Sequence, residues 1–414
     1  MIDCQMKVLI TGAQFNNKGA QSLLFTVIDQ LKKRSADIEI YYLPIDDYRK
    51  YDKSQFNFII VYGDMEAHYY ENRVFQRPFI LAKSILRRIL KKNSVKVSDV
   101  TELHRLLPKI DAIIDVSGYQ LTSKFSNVMN RKFLYYIEEA KRYGKKIILM
   151  PQSFGPFDYE KDKEKIIRTI KKDLSEVDLI FAREKEGFDL LCDLFDIKNI
   201  KLSPDLVLQG DEINWENIYT NVPKLHYPEI GNKNNVAVIP NTEAFKHGNE
   251  NLILEVYNTV INKLLLYGKT VYIFRHSNDL SACKKIYEMF SDNEKVHFIE
   301  NDFSCEEYSD FITQFDFIIA SRYHAIVHAY KKGIPSLIFG WAVKYHRLAE
   351  LFNQSKYVFD ITANDIDIEK ISDKLETLIQ NYNDEKNTIT QKQNQLYHDT
   401  CFDDCWSILV QKNL

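Results

Sequence analysis

Short apolar runs alternate with longer segments of helical period along almost the whole chain, and the alternation breaks once. Lys7–Thr11, Ile38–Leu43, Phe58–Tyr62, Asp111–Val116, Lys146–Met150 and Leu179–Ala182 read as strands, the one at Lys146 stopped by Pro151. Ala20–Lys33, Asn130–Tyr143, Asp162–Glu176 and Glu184–Phe195 read as the helices between them. Strands buried on both faces are continuous apolar runs, and strands joined through helices pair in parallel. From Gln209 to Asn235 the chain turns polar and irregular, with Pro223, Pro228 and a GNKNN run. Strands then resume at Val236–Ile239, Val271–Phe274, Val296–Ile299, Phe317–Ala320 and Pro335–Phe339. Helical patterns at Asn251–Tyr267, Lys284–Phe290, Cys305–Gln314 and Tyr323–Lys332 separate them. The expected fold class is α/β, with two Rossmann-like domains facing across a cleft. The expected boundaries are 1–208 and 236–385, a linker at 209–235, and a helical segment 386–414 that is a candidate to cross back onto the first domain. The length fits, because 414 residues exceed the roughly 250–300 that one core holds.

Charge narrows the partners. Lys plus Arg is 55 and Asp plus Glu is 58, a formal charge of -3, which argues against a nucleic-acid partner. No apolar stretch reaches the ~18 residues of a membrane span. The start, MIDCQMKVLITG, runs directly into a strand without a basic region and apolar signal core, so the expected compartment is cytoplasmic. Cys4, Cys192, Cys283 and Cys305 are scattered. Cys401 and Cys405 share a helical face near His398, but no second pair completes a zinc site, so reduced thiols and no metal are expected.

In sheets of this kind ligands bind beyond the carboxyl ends of the strands, beside helix N-termini. Five such segments stand out. The loop Thr11–Gln21 holds Gly12, Asn17 and Gly19, whose amides could meet an anion or a sugar hydroxyl; it matches neither a dinucleotide fingerprint nor a phosphate loop, which would need Gly-Lys-Ser/Thr where Gly19, Ala20 and Gln21 stand. Ile147–Phe157 brings Gln152 and Ser153 to a strand end. Leu179–Lys185 places Arg183 at a strand-to-helix turn, where its planar fork suits carboxylate or phosphate. Phe317–His328 brings Arg322 and His324 to a helix start that Ser321 could cap, with His328 one turn deeper as a packed core residue. Gly333–Lys344 carries Lys344 to the same sheet edge. For each of these residues a plain turn, cap or solvated charge is about as plausible on spacing alone. Together they make a basic cleft in an acidic protein, which points to a small, multiply charged substrate.

Taken in order, the NNKGAQ loop, PQSFGPF, the ARE segment, Ser203-Pro204-Asp205, the SRYHAIVHAYKKGIPSLIFG segment and Lys344 resemble the polysaccharide pyruvyl transferases. The resemblance covers roughly Met6–Phe352, and its most specific part is Ser321, Arg322 and His324 followed by Gly333 and Pro335. It implies a fold similar to glycosyltransferase B, phosphoenolpyruvate as donor, and as acceptor a sugar of a bacterial surface polysaccharide or its lipid-linked precursor. It also implies that Arg183, Arg322 and His324 are donor-site residues, with Lys344 added. Many relatives carry three glycines where this chain has Asp115-Val-Ser-Gly118, and an acid where it has Ala20-Gln21; both positions bear on the acceptor.

On this reading the cations hold the donor, His324 protonates its methylene carbon, and Asp115 is a candidate base. No cofactor is required. A glycosyltransferase using a nucleotide sugar and a non-catalytic carbohydrate-binding protein remain as alternatives. The basic segment Arg73–Lys96, with apolar Ile85, Leu86, Ile89 and Leu90 at helical period, is a candidate peripheral membrane contact or a helix packed on its own domain.

Overall fold

A computed structural model describes residues 5–45, 52–63, 65–71, 97–231 and 234–411. The candidate membrane segment Arg73–Lys96 lies outside them. The first sheet holds β1 (Lys7–Thr11), β2 (Glu39–Tyr42), β3 (Ile59–Ile60), β4 (Ala112–Asp115), β5 (Lys146–Gln152), β6 (Leu179–Ala182) and β7 (Ile200–Leu202). Their order is β3-β2-β1-β4-β5-β6-β7, all parallel. The second holds β8 (Asn235–Ile239), β9 (Thr270–Phe274), β10 (Val296–Ile299), β11 (Phe317–Ala320), β12 (Ser336–Phe339) and β13 (Val358–Phe359). Their order is β10-β9-β8-β11-β12-β13, again parallel. The order reverses between β1 and β4 and between β8 and β11. Crevices open at those switch points, and the loops after β1 and β11 are two of the five segments singled out above.

Central strands are buried on both faces: β4, β6, β8, β11 and β12 contain no residue that reaches solvent appreciably. The expected stop at Pro151 does not occur. β5 runs through it to Gln152, because the ladder slips there: Leu149 pairs with Ile180 but Gln152 with Ala182. One extra residue makes a bulge, which is where a strand accommodates a proline without an amide hydrogen.

The first part of the stretch expected as a linker, up to Tyr219, is packed, and residues 220–231 are irregular and mostly exposed. Tyr219 bridges to Phe56, and Trp215 and Tyr219 set their rings on Phe25 of α1 (Lys18–Arg34). The C-terminal region spans both halves. The helix Ile368–Gln395 buries Ile371, Leu375 and Leu378 in the second core, and Gln393 donates to the carbonyl of Leu208. The helix Cys401–Val410 lies on β5 and β6, where Lys146 Nζ donates to the Ile408 carbonyl at 2.7 Å and Lys201 pairs with Asp404 at 2.6 Å. One apolar cluster is continuous across the two halves. It joins Leu23 and Val27 of α1 to Tyr308, Ile326 and Ala329 of the second domain.

Candidate functional site

The domains touch where two helices begin. α1 starts at Lys18, and the helix Tyr323–Lys331 follows β11. The approach is so close that a Cβ on Gly19 would stand 2.4 Å from Nδ1 of His324. Glycine is required here by space alone. Deeper along the same pair, Ser22 Oγ meets His328 Nε2 at 2.7 Å and Cys305 Sγ at 3.0 Å. His328 is buried and packed, as its depth in the helix implied.

The second helix carries no side-chain cap, so its first amides and its positive dipole end remain open to an anion. Ser321 was expected to supply that cap and does not. It precedes the capping position, and its hydroxyl is held 2.8 Å from Tyr257 Oη in the core. Arg322 occupies the capping position and grips Asp279 with two donors, at 2.7 Å and 2.5 Å. Its side chain remains 25% exposed.

His324 stands between the halves. Its Nε2 lies 3.8 Å from Asp205 Oδ2 of the first domain and has no hydrogen-bond partner among the described residues. Burial, followed by the positive charges of Arg183, Lys344 and Arg322, pushes its imidazole well below the usual histidine range. Lys344 lies over the rings of Tyr323, Tyr345 and Tyr119, its Nζ 5.3, 5.6 and 5.9 Å from their centres. Burial and the nearby Arg183 push its amine down to about 8. Among the described residues it has no ion-pair partner within 4 Å.

Arg183 faces this group from the first domain, its guanidinium carbon 4.4 Å from the centre of the Tyr323 ring. It is not a solvated side chain waiting for a ligand. Nη1 donates to Asp205 and Nε to Glu184, each at 2.9 Å, and Nη2 donates to Ser153 Oγ at 2.6 Å. Ser153 in turn donates to Glu184. Arg183 therefore sets the shape and the field of the cleft, with its donors already engaged.

The loop after β1 is likewise committed to itself. Asn17 was expected to face a ligand; its Oδ1 instead caps α1, accepting from the amides of Gly19 and Ala20. Gly12 has φ +90°, and a Cβ there would collide with Ser117 Oγ and Asp115 Oδ2. Asp115 accepts from Thr11 Oγ1, Ser117 Oγ, the Ser117 amide and Gln152 Nε2. Burial raises its carboxyl to about 6 against those hydrogen bonds. With no exposed surface and its oxygens occupied, Asp115 ties the switch-point loops together and is not placed to meet a substrate. Gln152 is equally buried, its Oε1 left without a partner.

A cleft of about 870 Å³ opens beside this cluster between the two domains. Tyr119, Ser153 and Glu184 line it from the first domain, and His247, Trp341 and Lys344 from the second. Arg322 and His324 are not on its wall; they sit at the adjoining helix start. Asp279 was not singled out in the sequence, and Asp205, quoted within Ser203-Pro204-Asp205, was given no role, nor was Tyr323. The carboxylates contact arginines 22 and 43 residues away, a separation that leaves no local signal. Tyr323 lay inside the SRYH motif.

The family model for polysaccharide pyruvyl transferase matches residues 17–342. The chain belongs to that family. Two of the solved structures similar to it are UDP-GlcNAc 2-epimerase from Neisseria meningitidis bound to UDP-GlcNAc and TarM from S. aureus with UDP, alpha-GlcNAc-glycerol and Fondaparinux. The first has TM-score 0.56 and 13% identity over 98% of this chain and 100% of that one. The second has TM-score 0.56 and 12% identity over 99% and 100%. UDP-GlcNAc 2-epimerase from Methanocaldococcus jannaschii gives TM-score 0.54 and 11% identity over 90% and 92%. No curated protein matches the chain. At such identities the likeness establishes the architecture alone: the chain has the glycosyltransferase B fold. Among its described residues no helix is long and apolar enough to cross a membrane.

Proposed function

We propose that the protein transfers the pyruvyl group of phosphoenolpyruvate to a sugar as a cyclic ketal. The acceptor is a sugar of a bacterial surface polysaccharide or exopolysaccharide, or its lipid-linked precursor, met at the cytoplasmic face of the membrane. The observation that carries this reading is the gathering of Arg322, His324 and Lys344 at one uncapped helix start in a chain of net charge -3. Phosphoenolpyruvate bears a carboxylate and a phosphate, and both ends require cations.

In the free enzyme His324 is neutral, and a neutral imidazole is a poor acid. An anionic donor beside it favours the charged form and raises its pKa toward neutrality. Protonated His324 then delivers its proton to the terminal methylene carbon, which becomes a methyl group. One sugar hydroxyl oxygen bonds to C2 and its proton passes to His324, which has just given one to the methylene carbon. The C2–O bond to phosphate breaks with its electron pair on the phosphate oxygen. The second hydroxyl closes the ring on C2, and its proton goes to the departing phosphate. Arg322 and Lys344 hold the donor, Arg183 fixes their surroundings, and Ser153 and Glu184 face the acceptor from the cleft wall. The roles assigned to Gly12, Asn17, Gly19, Gln152, Asp115 and Ser321 are structural: they shape and stiffen the loops.

Incubating the protein with phosphoenolpyruvate and an undecaprenyl-linked oligosaccharide extract tests the reading. Phosphate release together with a mass gain of one pyruvylidene group is expected, and His324→Ala abolishes it. A second reading has one support, the UDP or UDP-GlcNAc carried by similar structures. Release of a nucleotide from a UDP-sugar, with none of phosphate from phosphoenolpyruvate, would make the protein a glycosyltransferase instead.

A further inference from the structure

A second group of cations and hydrogen-bond donors gathers at the same domain contact, beyond the residues assigned above. Arg275 and His276 directly follow β9, and Lys18 is the first residue of α1. Their counter-charge is short. Lys18 Nζ pairs with Asp302, and Arg275 Nη2 lies 3.6 Å from the same carboxylate. Arg322 is matched by its own Asp279. Among the described residues one carboxylate therefore serves two cations, which leaves a net positive charge near the open helix start.

Donors there are also unmet. His276 is 2% exposed, its Nδ1 lies 3.2 Å from Ser277 Oγ, and its Nε2 has no partner among the described residues. In the tautomer whose Nδ1 accepts from the serine hydroxyl, Nε2 carries a proton that no acceptor meets. Arg275 Nε is buried and, among the described residues, unpartnered as well. Unmet buried donors are costly and rare, and a ligand is one reason for a fold to keep them. The His276 ring packs on Tyr308 at 4.8 Å and lies 6.1 Å from the ring of His328, one turn into the helix that starts at Tyr323, and after burial the charge of Lys18 is the next cause that holds its imidazole down.

The donors come from two domains and several directions, which suits a compact tetrahedral oxyanion better than a planar carboxylate. We infer that Lys18, Arg275 and His276 form a phosphate subsite beside the start of the helix Tyr323–Lys331. On the pyruvyl-transfer reading, on which its role in turnover rests, this subsite receives the donor's phosphate and stabilises the charge that develops as the C2–O bond breaks. Lys344, at the mouth of the cleft, then faces the donor's carboxylate and the acceptor.

Isothermal titration with inorganic phosphate tests the subsite without any acceptor. Lys18→Met and His276→Gln are each expected to weaken phosphate binding at least tenfold. Lys18→Arg stays within about threefold of the parent protein, and pyruvate binding is unchanged in all three. Melting temperatures identify any variant that fails to fold, and the remaining one then decides. Equal phosphate binding in the parent and both neutral variants overturns the subsite, even if phosphoenolpyruvate is turned over. Phosphate binding that depends on Lys18 and His276 in a protein that never releases phosphate from phosphoenolpyruvate upholds the subsite and removes the pyruvyl-transfer reading.

Discussion

Acidifying the protein from about pH 7.5 to about pH 5.5 should destabilise it well before ordinary carboxylates titrate. His276, His324 and His328 are all held well below the ordinary histidine value of 6.5, in each case first by burial. The unfolded chain binds three protons that the folded chain refuses, so each histidine contributes stability above pH 6.5 that is lost as the pH falls. At pH 5.5 the loss is about 1.4 kcal/mol per histidine, or about 4 kcal/mol together. Asp115 acts in the opposite sense. Its folded carboxyl, raised to about 6, takes a proton before the unfolded one does and returns about 1 kcal/mol. The net loss is about 3 kcal/mol, a large share of the ~5–15 kcal/mol that stabilises a typical domain. Urea unfolding in a weakly buffered dye solution at pH 5.5 measures this as an uptake of about two protons per chain. His276→Gln should reduce the uptake by nearly one. No uptake, or proton release, would refute the reasoning, because it would mean these histidines are already charged in the native protein.

Gly19→Ala forces a methyl group to within 2.4 Å of the His324 ring. A displacement of about 1 Å at a reacting group lowers kcat roughly 10²-fold, while overpacking costs about 1–3 kcal/mol; phosphate release and a melting curve separate the two. Arg183→Met leaves Asp205 and Glu184 as uncompensated buried charges, and urea unfolding should register a loss of about 3–5 kcal/mol. Phosphoenolpyruvate binding by titration calorimetry should weaken above about pH 8, as Lys344 loses its proton in the free protein; Lys344→Arg should move that limb upward, since a guanidinium stays charged. Ser321→Ala removes a single buried hydrogen bond to Tyr257, and about 1 kcal/mol of stability, seen by thermal melting, is the expected cost.

The architecture was legible because its central strands are buried on both faces and so read as unbroken apolar runs. β7 and β13 were not, for a physical reason: both are short edge strands with partly exposed residues, and little apolar pattern survives there. Pro151 misled because a bulge absorbs it. The residues of the site were legible by type and place. Arg322, His324 and Lys344 follow β11 and β12, where parallel sheets present ligands. The carboxylates that pair with Arg322 and Lys18 were not, because Asp279 and Asp302 reach them across long stretches of chain, and nothing in Ser203-Pro204-Asp205 signals that Asp205 meets Arg183. Those partners change roles. Arg183 read as an anion clamp and is a fully engaged strut, while Lys18, which had no role in the sequence reading, is a buried cation at the domain contact. Asn17 and Ser321 show a related limit, since a polar side chain near a helix start serves its own backbone or its neighbours as readily as a ligand.

A crystal of the protein soaked with phosphoenolpyruvate provides the most direct measurement. The donor should be found at the start of the helix Tyr323–Lys331, touching Arg322, His324 and Lys344, with its phosphate toward Lys18 and His276. A saturating soak that leaves that place vacant, or puts the molecule elsewhere while Arg322 stays closed on Asp279, would contradict the account.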